Sequence, residues 1–195
     1  MKKQLSEMSL EELWQLFPII LKEYNLDYQN WYELEKDRIL NNIKTGDIAR
    51  INHIGSSAVK GLISKPTIDI LLEVNSCDNI KELIADLELI GWGLMSQKND
   101  PLKLSFCKGY TPNGFAEKVY HLHVVYHDDW DELYFRDFLI MHPDIANEYG
   151  KLKLQLLNDF KQDRDGYTKA KTNFILKYSN IAKQEFPERY KPIKK

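Results

Sequence analysis

His53-Ile54-Gly55-Ser56-Ser57-Ala58-Val59-Lys60-Gly61-Leu62-Ile63-Ser64-Lys65-Pro66-Thr67-Ile68-Asp69-Ile70 is the stretch on which the reading of this chain turns. An apolar strand that ends in Gly-Ser-Ser and enters a short helix exposes backbone N–H groups. Together with the hydroxyls of Ser56 and Ser57, those donors suit the oxygens of a phosphate. Asp69 follows on the next strand and can reach the same end of the sheet, so a phosphate cradle would face a carboxylate. Lys65 precedes that strand, where Pro66 fixes the chain direction, and its charge can neutralise a phosphate or be solvated in a loop. The plainer alternatives are a tight turn capped by serine and an Asp69 held in a structural hydrogen bond or ion pair. An unpartnered carboxylate among Ile68, Ile70 and Leu72 would be costly, which favours a site role for Asp69.

Working outward, Ile48–Ile54 and Thr67–Val74 read as strands, the second as a buried one. Upstream, Ser9 and Glu12 form a capping-box pair ahead of an apolar helical spacing at Leu10, Leu13, Leu16 and Phe17, and Pro18 ends it. A second helix is predicted from about Tyr28 to Ile43. Downstream, residues 78–90 are amphipathic with Gly91 as a stop signal. Segments near 92–97, 102–108 and 118–126 alternate as strands, with YTPNG at 110–114 as a turn. From Trp130 the chain is helical again, with Pro143 suited to the first turn of a helix and one last helix marked by Tyr167, Phe174, Tyr178 and Ile181. Helices, a mixed sheet and more helices predict an α+β fold in one domain. Its parts are a helical leader at 1–46, a central sheet at 47–127 and C-terminal helices at 128–195.

Composition supports a globular protein of 195 residues with 43% apolar and 29% charged residues. No run approaches the roughly 18–20 apolar residues needed to cross a bilayer, and no membrane partner is expected. The N-terminus lacks the apolar stretch and cleavage site of a signal peptide, so a cytoplasmic protein is expected. Cys77 and Cys107 lie apart without metal-ligand spacing. A net charge of −2 offers no attraction for nucleic acid, and the basic tail of Lys191, Lys194 and Lys195 reads as a solvated end.

The string HIGSSAVKGLISKPTIDI resembles the signature of the GrpB family. Two further blocks match in order: YHLHVV at 120–125, and FRDFLIMHPDIANEYGKLKLQL with GYTKAKTNFI behind it. The N-terminal LWQLFPIILKEYN also resembles members with a longer leader. The resemblance implies a nucleotidyltransferase-like mixed β-sheet flanked by N- and C-terminal helices. It also implies kinship to a domain fused to dephospho-CoA kinase in some bacteria.

Against working nucleotidyltransferases the chain departs at one point. Those enzymes place two carboxylates as Asp-hydrophobic-Asp/Glu after the Gly-Ser turn, to hold two magnesium ions. Here Asp69 is followed by Leu71 and preceded by Thr67, so one carboxylate is missing. Glu73 shares the strand face but lies on the order of 13 Å from Asp69 at about 3.3 Å per residue. His121 and His123, spaced for one face of a neighbouring strand, could join Asp69 in a set that suits zinc, manganese or iron better than magnesium. Alternatively an imidazole contacts the phosphate or acts as acid and base, or both histidines are plain strand residues. Arg136 can be a strut between helix and sheet or a phosphate clamp. Lys169 and Lys171 read as surface lysines, and His53 and His142 as structural hydrogen-bonders.

The expected partner is therefore a nucleotide or other phosphate-bearing small molecule. Gly55, Ser56, Ser57, Lys65 and Arg136 are its candidate contacts, and Asp69, His121 and His123 are candidate catalytic groups and ligands for a divalent Mg, Mn or Zn. A divergent nucleotidyltransferase and a noncatalytic binding or scaffold domain both remain open, and the missing carboxylate favours the second.

Overall fold

Side chains at successive strand positions point to opposite faces, so a strand covered on both sides must be apolar on both. Residues 67–74, next to the centre of the sheet, meet that demand on one face with Ile68, Ile70, Leu72 and Val74. The other face sets Thr67, Asp69 and Glu73 around Leu71, so its polar groups need partners. The structure, a computed structural model, describes residues 3–160 and 163–193; Lys194 and Lys195 of the basic tail lie outside them. Helices α1 (Leu10–Leu16) and α2 (Tyr28–Asn42) precede strands β1 (Asp47–Ile54) and β2 (Thr67–Ser76). Helix α3 (Ile80–Leu89) leads to β3 (Gly93–Asn99), β4 (Leu102–Thr111) and β5 (Gly114–Tyr126). Four helices follow: α4 (Asp131–Met141), α5 (Pro143–Asp159), α6 (Arg164–Ala170) and α7 (Thr172–Glu185). The sheet order is β1-β2-β5-β4-β3. β2 and β5 run parallel, and every other pair is antiparallel. This is the α+β arrangement expected, a mixed sheet flanked by helices from both ends of the chain.

The local signals account for most boundaries. Ser9 and Glu12 exchange both bonds of a capping box at the start of α1. Pro143 occupies the first turn of α5. Gly91, at a φ of +92°, turns the chain after α3 in a conformation that disfavours other residues. One expectation is corrected: the last helix is two, α6 and α7, meeting at Lys171. The apolar spacing runs through that junction, which is why periodicity alone joined them. Among the described residues no helix is long and apolar enough to cross a membrane.

The two faces of the sheet differ. Ile68, Ile70, Leu72, Tyr120, Leu122 and Val124 form a core against α2 and α3. On the opposite face Leu71 and Val125 pack with Ile54 and Leu133, under the C-terminal helices. Asp69 and Glu73 share this second face with His121 and His123, because the parallel register sets Asp69 beside His121 and Leu71 beside His123.

Glu73 is fully buried and answered by Arg50, which grips the carboxylate through Nε and, at 2.9 Å, through a terminal nitrogen. Arg50 also donates to the carbonyls of Asp128 and Tyr190, tying the sheet to the chain's C-terminal segment. Removing one partner from such a pair strands a buried charge. Arg50→Ala is expected to lower unfolding free energy by about 3–5 kcal/mol in urea titration. A loss below about 1 kcal/mol would show that water reaches Glu73 and that the pair holds little.

Candidate functional site

β1 ends beside Asp69, since Ile54 pairs with it in register. The next residue, Gly55, has a φ of +71°, and a Cβ there would stand 2.5 Å from Asp69 Oδ2 and 3.2 Å from its Cγ. Only glycine lets the turn lie against the carboxylate in this conformation. Ser56–Ala58 then make a single 3₁₀ turn. Within it Ser57 is drawn to His53, whose Nε2 is 3.0 Å from the hydroxyl. His53 stacks on Tyr32 at 4.9 Å, and burial pulls its pKa down to about 4, so it is a neutral structural group.

Three lysines converge on this turn from elsewhere in the chain. Gly150 allows α5 to lie close on the loop, its missing Cβ falling 3.2 Å from Ile63 Cγ2. Lys153, one turn further, is 2% exposed and donates to Ser56 Oγ at 2.9 Å and to the Ile63 carbonyl. Lys65 and Lys171 hold their ammonium groups 4.9 and 4.4 Å from the ring centre of Tyr167. Ser56, Lys65, Asp69, Lys153, Tyr167 and Lys171 thus wall a cavity of ≈ 80 Å³. Among the described residues no ion pair holds any of the three lysines. Burial, then the charge of Lys171, brings Lys153 down to about 7. Burial, then Lys171 and Arg164, brings Lys65 down to about 8 against the pull of Asp69. Lys171 is lowered by burial, with Asp69 opposing. The Tyr167 hydroxyl is buried without a hydrogen-bond partner among the described residues.

A second polar chain adjoins the cavity. Asp69 Oδ1 lies 3.2 Å from His121 Nδ1, His121 Nε2 lies 2.8 Å from the Tyr110 hydroxyl, and Arg164 approaches that hydroxyl at 3.4 Å. One proton arrangement satisfies every member: Nδ1–H donates to the carboxylate, Nε2 accepts from Tyr110, and Tyr110 oxygen accepts from Arg164. Burial would raise the Asp69 carboxyl, but the His121 bond and the charges of His121, His123 and His53 outweigh it and hold it below its ordinary value. His123 shares the face, and burial lowers it despite Asp69.

The structure therefore brings Gly55, Ser56, Ser57, Lys65, Asp69 and His121 together. It does not assemble Asp69, His121 and His123 into a metal set. Both ring nitrogens of His121 are engaged, and among the described residues no group of three His, Cys, Asp or Glu side chains is placed to hold a metal ion. Arg136 is not brought to the cavity. Its donors go to Asp137, Asn52 Oδ1, the His53 carbonyl and the Tyr190 hydroxyl, which makes it the strut from α4 to β1. Lys169 is exposed, whereas Lys171, read from sequence as a surface lysine, faces the cavity. Sequence reasoning missed Lys153, although a signal existed. It stands four residues after Tyr149 on the buried stripe of α5, where an apolar residue belongs.

A family profile described as GrpB protein matches residues 18–180. A UPF0157 protein of Pseudomonas aeruginosa is 36% identical over 126 residues, which is 64% of this chain and 52% of that protein. Glutamate-rich protein GrpB of Alkalihalophilus pseudofirmus is 31% identical over 161 residues, 80% of this chain and 91% of that one. The chain thus spans about half the length of the first relative and most of the second. The crystal structure of conserved protein GrpB from Enterococcus faecalis is similar, with a TM-score of 0.73 and 28% identity over 86% of this chain and 99% of that one.

Two outcomes test this geometry. Gly55→Ala is expected to cost about 1–3 kcal/mol of stability, from the disfavoured φ and the displaced carboxylate. It should also shift the ¹⁵N resonances of the His121 ring, and unchanged resonances would mean that Asp69 does not depend on the glycine. Lys153 gives a pH test. The unfolded chain keeps this proton to about 10.4, while the folded chain releases it near 7. Between those values the unfolded state binds more protons, so stability rises with pH. Wild type is expected to gain on Lys153→Met by at most about 1.4 kcal/mol per pH unit across this window. Urea midpoints of both proteins below, within and above the window check it, and a difference that stays flat would refute the buried ammonium.

Proposed function

The chain belongs to the GrpB family, and from that premise we propose that it binds a phosphate-bearing small molecule, a nucleotide being one such ligand, in the cavity of Lys65, Lys153 and Lys171. The observation that carries this reading is three ammonium groups around ≈ 80 Å³ with no ion pair among the described residues. After burial, the charge of Lys171 lowers the proton affinity of both Lys65 and Lys153, as like charges do. A phosphate dianion would reverse that repulsion, and it suits charge-assisted hydrogen bonds from lysine. The Ser56 hydroxyl adds a further polar contact at the same wall.

Binding without transfer chemistry fits the carboxylates better than a two-metal transferase does. Among the described residues Asp69 is the one carboxylate on the cavity wall, Thr67 and Leu71 occupy the positions of a strand-mate, and Glu73 is engaged by Arg50. A carboxylate held below its usual pKa is also a weak base. Asp69 and His121 accordingly orient and balance the charge of the site.

Calorimetric titration with inorganic phosphate and pyrophosphate provides the test. Wild type is expected to bind with uptake of protons near pH 8, because the anion restores the lysine charges, and to bind more weakly as pH rises further. Lys153→Met should weaken binding roughly tenfold or more, the scale of one charge-assisted bond. No heat and no change in Tm with either anion, on folded wild type, would overturn the reading.

A further inference from the structure

We propose that the phosphate site continues into an adjoining apolar cleft that receives the organic part of the ligand, and that this part is a flat ring bearing hydrogen-bond acceptors. The inference rests on the phosphate reading above and assigns the class of ligand: a phosphate ester of a ring-sized aromatic or heteroaromatic group.

A second cavity of ≈ 340 Å³ stands beside the first and shares Lys65 with it. Three segments serve both. The extended N-terminal stretch bridges to the loop through the Lys22–Ser64 pair of backbone bonds, giving Leu21 to the phosphate cavity and Ile20 and Lys22 to the cleft. The loop leading into β2 gives Ser64 to one, Pro66 and Thr67 to the other, and Lys65 to both. On α6, Tyr167 walls the phosphate cavity and Arg164, one turn earlier, walls the cleft. Lys65 is thus the partition, placed to meet a phosphate that carries a group on its far side.

The cleft's chemistry describes that group. Tyr110 and Phe115 contribute aromatic walls whose rings pack edge to face at 5.3 Å, while Pro18, Pro66, Ile20 and Val119 add rigid or aliphatic surface. Such walls favour a flat apolar body, and the volume lies at the small end of ordinary ligand pockets. Among the described residues Arg164 makes only long hydrogen bonds, 3.5 Å to the Phe17 carbonyl and 3.4 Å to the Tyr110 hydroxyl. Its guanidinium has five donors and no ion pair among the described residues, so the cleft's cationic edge suits acceptor atoms on a ring. Arg164 also ends the chain Asp69–His121–Tyr110, which couples the ring position to the carboxylate beside the phosphate.

The experiment compares inorganic phosphate, phenyl phosphate and 1-naphthyl phosphate by calorimetry on the full chain. Wild type is expected to bind phenyl phosphate roughly tenfold tighter than phosphate, and the naphthyl ester tighter again. Ala116 lies exposed on β5 at the cleft wall, and Ala116→Trp should fill the cleft. The variant should abolish the gain while leaving affinity for inorganic phosphate unchanged. Ile20→Trp, at another lining residue of the cleft, serves the same purpose should the first variant fail to fold. Equal affinity for phosphate and its aryl esters, or a gain that survives either tryptophan, overturns the cleft inference and leaves the phosphate site standing. Absence of binding by all three ligands overturns both.

Discussion

Lys153 buries an ammonium group against a serine hydroxyl and a backbone carbonyl, with no ion-pair partner among the described residues. A buried charge is costly unless it is paired, so the surrounding structure has to impose the arrangement. Gly150 imposes it from one side, by letting α5 settle on Ile63. The Gly55–Ser56 turn imposes it from the other, held in place by the close approach to Asp69. Tyr167 softens the crowding by offering its ring to Lys65 and Lys171, although its own hydroxyl has no partner among the described residues. Three close cations, a buried tyrosine hydroxyl and a left-handed glycine thus meet at one small cavity.

The polar groups on the same sheet face divide by how well they are answered. Glu73 and Arg50 are matched through two nitrogens and two oxygens, and backbone carbonyls take two further donors. Arg136 is likewise satisfied around β1 and Tyr190. These are joints between the sheet and the C-terminal chain. The Asp69–His121–Tyr110 chain is satisfied too, yet it opens on the cavity, with Asp69 retaining 30% of its side-chain surface. Among the described residues around the cavity and its adjoining cleft, the three lysines and Arg164 carry charge without a counter-charge held in an ion pair. Incomplete neutralisation, rather than the presence of charge, distinguishes a site for an anion from a structural joint.

The central elements were legible because they rest on short-range rules. Short apolar runs marked β1 and β2, alternation marked β3 to β5, the Ser9–Glu12 pair marked the start of α1, and Pro143 marked the first turn of α5. Strand parity placed His121 and His123 on one face, and the parallel register then set His121 beside Asp69. Where the reading went astray, a long-range partner decided. The junction of α6 and α7 lies inside a continuous apolar spacing. Arg136 had two plausible uses, and the choice between them depended on Asn52, His53 and Tyr190, up to 84 residues away.

By itself, then, the sequence determined all the elements but the break between α6 and α7, their α+β order, and the turn that presents Gly55, Ser56 and Asp69, since each follows from propensity, periodicity or spacing within a few residues. Only the tertiary structure decided which cations meet that turn. Lys153 and Lys171 lie 97 and 115 positions from Ser56, on helices whose polar and apolar stripes reveal burial but not the neighbour across the gap. A charge gains its chemical meaning from what stands within a few ångströms of it, and that distance is set by packing rather than by order along the chain.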